Sequence, residues 1–385
     1  MRVALTLSAL SAGLVLAGAG AAVAGPLPQA KNAAEINAGL EAMREFNLIA
    51  LKDLKSSSSV QGRTFVGGNL SGSSSNYLTG AGQSGGVALT VAGDVTGSAK
   101  NVKGGGAVKV GGNLDSGANL NGGGNAYVDG NAKKINAGTG SVYVDGNVEQ
   151  TNAQHIYYGG TIKTSNGVKH AGDHSQAGLQ DSLEAIAADY AAELTATSEY
   201  FADLSATHFV STPNAQDVVF NAGAGSGVAV FAISDLETLL KGRSNLKFSA
   251  PAFYDAVIVN VAGSKITLPG SINFNAASGL GSKVIWNFYE ATSVNFGSKN
   301  WYGSVLAPNA ELKFNNFIEG SVVARDLVQN GEVRLGNFSG GGLSVARFAD
   351  EVQTAVPEPA TWAMMIMGFG AIGAVIRRRR ALVDG

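Results

Sequence analysis

The sequence predicts a mainly β protein: a β-solenoid (β-helix-like) with one long α-helix packed along its side, plus an N-terminal signal peptide and a C-terminal hydrophobic sorting helix. Three observations carry that expectation. Short apolar runs end repeatedly on Gly followed by Asn or Asp, and a single helical stripe separates two strand-rich regions. The chain also holds 53 Gly, 0 Cys and only 15% charged residues, against about 7% Gly and 25% charged residues in average usage. Without cysteine there are no disulfides to hold an exported chain together. Stacked, hydrogen-bonded strands are the expected substitute.

Taken in order, residues 1–24 read as a signal peptide. Arg2 is a minimal positive region, Val3 to Ala21 is apolar, and Ala22-Val23-Ala24 before Gly25 is an A-x-A site for signal peptidase, with cleavage between Ala24 and Gly25. An N-terminal membrane anchor is the competing reading. Residues 25–348 are read as one domain, long enough for a sizeable core.

From Val66 to Ile162 the apolar-Gly-polar unit recurs, with corner residues Asn69, Asp94, Asn113, Asn131, Asn147 and Thr161 spaced by 25, 19, 18, 16 and 14 residues. Each spacing suits one coil of a solenoid. Gly-Asn and Gly-Asp are expected to supply positive φ at tight corners, and a β-sandwich with hairpins at those turns is the alternative. The period then changes. Leu179, Leu183, Ile186, Tyr190, Leu194, Thr197, Phe201 and Leu204 recur every 3 or 4 residues, which predicts a helix over about 176–206. Such a helix is roughly 45 Å long and could follow about nine coils stacked ~4.8 Å apart. After Pro213 the strand-like runs return, among them Val218 to Phe220, Val228 to Phe231, Ala256 to Val261, Val284 to Phe288, Ser304 to Ala307 and Gly320 to Ala324. Ser234 to Lys241 reads as a short helix capped by Ser234. Strands on both sides of one long helix predict a single solenoid built by both halves of the chain.

Residues 349–355 read as a linker to a terminal signal over 356–380. There Pro357-Glu358-Pro359 and Trp362 precede an uncharged span over 360–376 and the cluster Arg377-Arg378-Arg379-Arg380. The span sits at the short end of what crosses a bilayer, and the arginines would stay on the cytoplasmic side. Pro357 and Pro359 favour an extended strip that a processing enzyme could grip. This order resembles the PEP-CTERM sorting signal of Gram-negative bacteria, in its PEPxxWAMM form. The resemblance implies an exosortase-type processing enzyme as a partner and transient or stable membrane anchoring through the C-terminal helix; a plain tail anchor is the alternative.

A second resemblance rests on Phe46-Asn47-Leu48, Gly62-Arg63, Val66-Gly67-Gly68-Asn69, Val259-Asn260-Val261-Ala262-Gly263, Ile285-Trp286-Asn287-Phe288 with Ala291-Thr292, and Trp301-Tyr302-Gly303-Ser304-Val305-Leu306-Ala307-Pro308-Asn309-Ala310. Over about 33–348 these look like the choice-of-anchor A family, sometimes labelled collagen-binding-like. That likeness implies a bacterial surface module carried by different C-terminal anchors, and it brings no catalytic residues.

The chemistry-bearing residues are few. His170 and His174 flank Asp173, a possible metal pair, but a loop before the helix explains them without a third ligand. His155 and His208 are isolated in sequence, so no triad can be assembled. Asp129 and Asp145 hold equivalent repeat positions and could stack as a carboxylate pair, or simply cap corners. Gly122 to Tyr127 lacks the order of a calcium nonapeptide, and Gly223 to Gly227 has no following helix to make a dinucleotide loop. An ice-matching face would need Thr-x-Thr rows, which Thr161 to Thr164 does not form. Net charge is −2, and without the terminal arginines the remainder is more acidic, so nothing favours nucleic acid. The expectation is a structural or adhesive surface protein binding a polymer such as exopolysaccharide, without catalysis, metal or cofactor. A lyase or hydrolase on a β-helix is the alternative.

Overall fold

A computed structural model describes residues 33–249, 254–276 and 279–340. The expected signal-peptide site at Ala24 and Gly25, and the sorting signal with its apolar span, lie outside the described residues. Among those residues no helix is long and apolar enough to cross a membrane.

Strands stack in parallel register into a three-faced solenoid. The first face runs in spatial order through Gly227–Ile233, Tyr254–Val261, Val284–Asn287 and the first parts of Ser304–Phe314 and Val322–Gln329. It then continues with Phe46–Ala50, Arg63–Val66, Val87–Val91, Ala107–Val110, Ala126–Val128, Ser141–Val144, Asn152–Tyr158 and Asn166–Ala171. Both halves of the chain therefore build one rod, as the sequence predicts, but the order is permuted. The first strand of the N-terminal half inserts beside the last turn of the C-terminal half, with Leu48, Ile49 and Ala50 opposite Val322, Val323 and Ala324. Buried polar groups fix this seam: Asn47 Nδ2 donates to Gly320 O at 2.7 Å and Ser56 Oγ to Gln329 Oε1 at 2.7 Å.

The two ends of the rod differ in turn length. Cross-turn hydrogen bonds link residues 30 apart at one end, Asn275 to Asn245, and 14 apart at the other, Thr161 to Asn147. Wide turns need large side chains to fill them at interior density. Trp286, Trp301, Phe220, Phe248 and Phe274 accordingly pack ring to ring in the C-terminal half, while Val66, Val91, Val110, Val128 and Val144 suffice in the N-terminal half.

At the corner after the first face the predicted residues form a ladder. The Oδ1 atoms of Asp53, Asn69, Asp94, Asn113, Asn131 and Asn147 each accept the backbone N–H of the next corner residue at 2.7–2.9 Å. The corner glycines do not have positive φ, contrary to the sequence expectation. They are needed for space instead: a Cβ on Gly93 would sit 2.6 Å from Asn69 Oδ1, and one on Gly160 2.6 Å from Asn147 Oδ1. Positive φ occurs at the opposite corner, at Gly86, Gly105 and Gly123.

Three helices complete the fold: α1 (Ala33–Glu45), α2 (Leu179–Ala202) and α3 (Leu236–Leu240). α2 is shorter than the predicted 176–206, because a turn and the left-handed Gly178 precede it. Its stripe is buried at Leu183, Leu194, Thr197 and Phe201, while Ile186 is 39% exposed and Ala187 faces inward. The swap follows from space, since a Cβ on Gly67 would already lie 2.8 Å from the Ala187 Cβ. α1, which the sequence reading did not anticipate, packs on α2 through Gly39 and seals a second apolar core over the first face, with Ile36, Leu40 and Met43 against Ile49, Leu306 and Val323. α3 is capped by the Asp235 side chain, which accepts the Thr238 N–H at 2.9 Å, rather than by Ser234; the carboxylate is the stronger acceptor for that amide.

The ends differ. Thr207 and His208 pair with Val230 and Phe231 and close the wide end. At the narrow end, Asn166–Ala171 is the last strand, and Lys169 occupies the position stacked on the buried Ile156. An inward-pointing charge on an edge strand opposes further strand addition.

Candidate functional site

One outward-facing row runs the length of the first face. In register it reads Asn260, Asn287, Leu306, Val323, Ile49, Phe65, Thr90, Lys109, Tyr127, Tyr143, Tyr157 and His170. α2 and α1 cover the first six positions. Asn287 Nδ2 donates to Ser198 O and Asn260 Oδ1 at 2.8 and 2.9 Å, Ser198 Oγ donates to Asn287 Oδ1 at 2.6 Å, and Phe65 packs edge-on to Tyr190 at 5.0 Å.

α2 begins beside the turn of Gly111, where a Cβ would lie 2.7 Å from the Gln180 Cα. Beyond that point the row is uncovered and changes character. Tyr127, Tyr143, Tyr157 and His170 stack with centroids 5.2, 4.6 and 4.3 Å apart and planes within 8°, 5° and 11° of parallel. Their ring faces are thus occupied by one another. What the row offers outward is ring edges and phenolic hydroxyls, repeating at about the 4.8 Å strand spacing. A second row lies alongside: Asn125 Oδ1 accepts the Ser141 N–H at 2.8 Å, and Ser141, His155 and Val168 follow in register. Val168 is 54% exposed.

The sequence-derived candidates land differently from their spacing. His170 is in the last strand rather than a loop, and its Nε2 lies 3.2 Å from Nδ1 of His155, so His155 is not isolated. His174 instead pairs with Asp145, Nδ1 to Oδ1 at 2.7 Å. Asp129 Oδ2 accepts the Gln180 N–H at 3.0 Å. Asp129 and Asp145 do lie on adjacent turns, but each is engaged in fastening the start of α2 and its approach to the rod. A carboxylate at a helix N-terminus is stabilised by the exposed N–H groups there. His208 sits at the other end of the rod, against Tyr254 and Thr207. Among the described residues no group of three or more His, Asp or Glu converges to hold a metal.

The sequence reading missed the aromatic row, although a signal was there. Phe65, Thr90, Lys109, Tyr127, Tyr143 and Tyr157 each stand four residues before a corner residue of the repeat.

Comparison with known proteins gives two matches. The family model described as "Putative Ice-binding-like adhesive domain" matches residues 39–133 and 116–335, which together span well over half of the chain. The PEP-CTERM protein-sorting motif matches residues 355–380 and marks the chain for export to the cell envelope or surface. No curated protein and no solved structure matches. A rod whose two halves interlock at a seam, matched by one adhesive-domain model from its first helix to its last strand, thus belongs to the family of ice-binding-like adhesive domains.

Proposed function

We propose that this exported adhesive protein is a non-catalytic rod that binds a periodic extracellular polymer, such as exopolysaccharide, through the uncovered part of its first face. The observation that carries the reading is the row Tyr127, Tyr143, Tyr157 and His170. Because the rings stack on each other, the contact is made by a line of hydroxyl groups and imidazole nitrogens, flanked by Ser141 and His155. Each hydrogen bond to a hydrated polymer adds little net free energy. A rigid, regular array makes many of them together, so the second and later contacts are intramolecular and avidity rises without a deep pocket. The engagement of Asp129 and Asp145 with the α2 region supports binding over carbohydrate cleavage.

Delivery fits the same picture: an exosortase-type enzyme would process the Pro357-Glu358-Pro359 region, releasing a module of the kind that accompanies varied C-terminal anchors. The test uses the protein purified from its host together with the host's own matrix polymer. The wild-type protein should co-sediment with the polymer, and the triple variant Tyr127→Phe, Tyr143→Phe, Tyr157→Phe should lose most of that binding with its melting temperature unchanged. Steady release of reducing ends, abolished by Asp129→Asn or Asp145→Asn, would establish the enzyme instead.

A further inference from the structure

Where the uncovered row meets the start of α2, a groove of about 580 Å³ opens, lined among others by Lys109, Tyr127, Asn125, Gln176 and Leu179. Its rim on the side opposite the helix is glycine: Gly86, Gly105 and Gly123, all at positive φ, turn the chain without side chains that would fill the space. Tyr127 is the first ring of the stack. One of its faces is covered by Tyr143, and the other looks toward Lys109, its in-register neighbour on the preceding strand. That side belongs to the groove, which reaches Lys109 and Ala107 on the preceding turn but not Tyr143. The Lys109 ammonium makes no hydrogen bond or ion pair within the described residues, and no carboxylate lines the groove. The acid one turn further on, Asp129, is held by the α2 N-terminus.

From this juxtaposition of a tyrosine edge, side-chain amides and an unpaired ammonium in an open groove, we propose a distinct subsite for one acidic sugar, a uronate unit of the polymer. The proposal rests on the polymer-binding reading and deepens it. The pyranose lies in the groove against the edge and hydroxyl of Tyr127, its carboxylate meets Lys109, and a ring hydroxyl donates to Gln176 Oε1. The rest of the row would make only hydroxyl contacts, so this one position sets a preference for acidic polymer. A charge-assisted pair of this kind contributes more than a neutral hydrogen bond and is weakened by salt.

The full chain should bind an oligogalacturonate of four units measurably more tightly than the neutral cello-oligosaccharide of the same length, and the difference should shrink as sodium chloride is raised. Lys109→Met keeps the apolar stem of the side chain and should lower affinity for the acidic oligomer about tenfold while leaving the neutral one unchanged. Tyr127→Ala should weaken both. Equal affinity for the two oligomers, no binding of the acidic one, or a Lys109→Met protein with undiminished acidic binding would each overturn the subsite. If the protein still co-sediments with matrix polymer in those cases, the row reading survives without the subsite; loss of both removes both.

Discussion

The first face carries one row of side chains under two regimes. From Asn260 to Phe65 the row is apolar or amide and sealed beneath α1 and α2; Thr90 is still buried where the cover ends, and from Lys109 to His170 the row is polar or aromatic and open. Backbone geometry, register and strand spacing are shared, so the difference comes only from how far the helices reach. Under the helices, residues must satisfy interior rules: Ile49, Leu306 and Val323 exclude water, and Asn260 and Asn287 are tolerated because their amides meet partners across the helix. Beyond Gly111 those rules lapse, and equivalent positions are filled by tyrosines and a histidine stacked on one another.

The sharpest way to break this contrast is to charge the sealed half. Leu194→Asp puts a carboxylate where a fully buried leucine contacts the rod, and stability should fall by about 4 kcal/mol or more in urea denaturation. An unchanged midpoint would mean that the helix is not packed on the face. Next, Asn287→Ala leaves Ser198 and Asn260 without their amide partner, and a loss of about 2–3 kcal/mol is expected by the same measurement.

A third change tests the rod beneath the open half. Lys100, in the strand Lys100–Val102, is 1% exposed, and its ammonium donates only to the Ser73 and Gly72 carbonyls. Burial lowers its pKa from 10.5 to about 8. Between those values the unfolded chain holds a proton that the folded one has released, so stability should rise with pH from about 8 toward 10.5. Tyr77 acts in the opposite sense: burial raises its pKa from 10.0 to about 12, so stability should fall above pH 10. Unfolding free energy measured against pH should therefore peak near pH 10. Lys100→Met should stabilise the protein at neutral pH by roughly 2 kcal/mol and flatten the rise; an unaltered profile would assign it to other groups. The smallest effect belongs to the open row. Tyr143→Phe keeps the stack and should move stability by less than about 0.5 kcal/mol while weakening polymer binding, whereas a large loss of stability would show the hydroxyl to be structural.

Much of this was readable in advance. The x-Gly-Asn unit located the corner ladder because one residue type has to make one cross-turn bond in every coil. The 3.6 period located α2, and the runs after Pro213 matched strands, all but Val218 to Phe220 on the first face. Three things were not legible, for physical reasons. The seam between residues 48–50 and 322–324 is a pairing between distant, ordinary apolar strands, and nothing local encodes it. α1 is short and its Gly39 weakens the helical signal, although that glycine is what lets it touch α2. The role of the corner glycines was assigned to φ because Gly-Asn is a turn dipeptide. Only the neighbouring coil reveals that the missing Cβ makes room for another residue's oxygen.

The seam also decides where the rod is held and when it can be completed. An exported chain emerges N-terminus first, so α1 and the strand at 46–50 reach the far side of the membrane long before their partners; Ser56 must wait for a residue 273 positions later. Closing so distant a contact is entropically slow, and the two halves cannot be joined before the last turns have crossed. The finished product has its entry and exit side by side, with Arg44 of α1 donating to Gly340 O at 3.0 Å and lying over Phe338. The chain beyond Gly340 therefore departs from the waist of the rod, between its two ends, rather than from either tip.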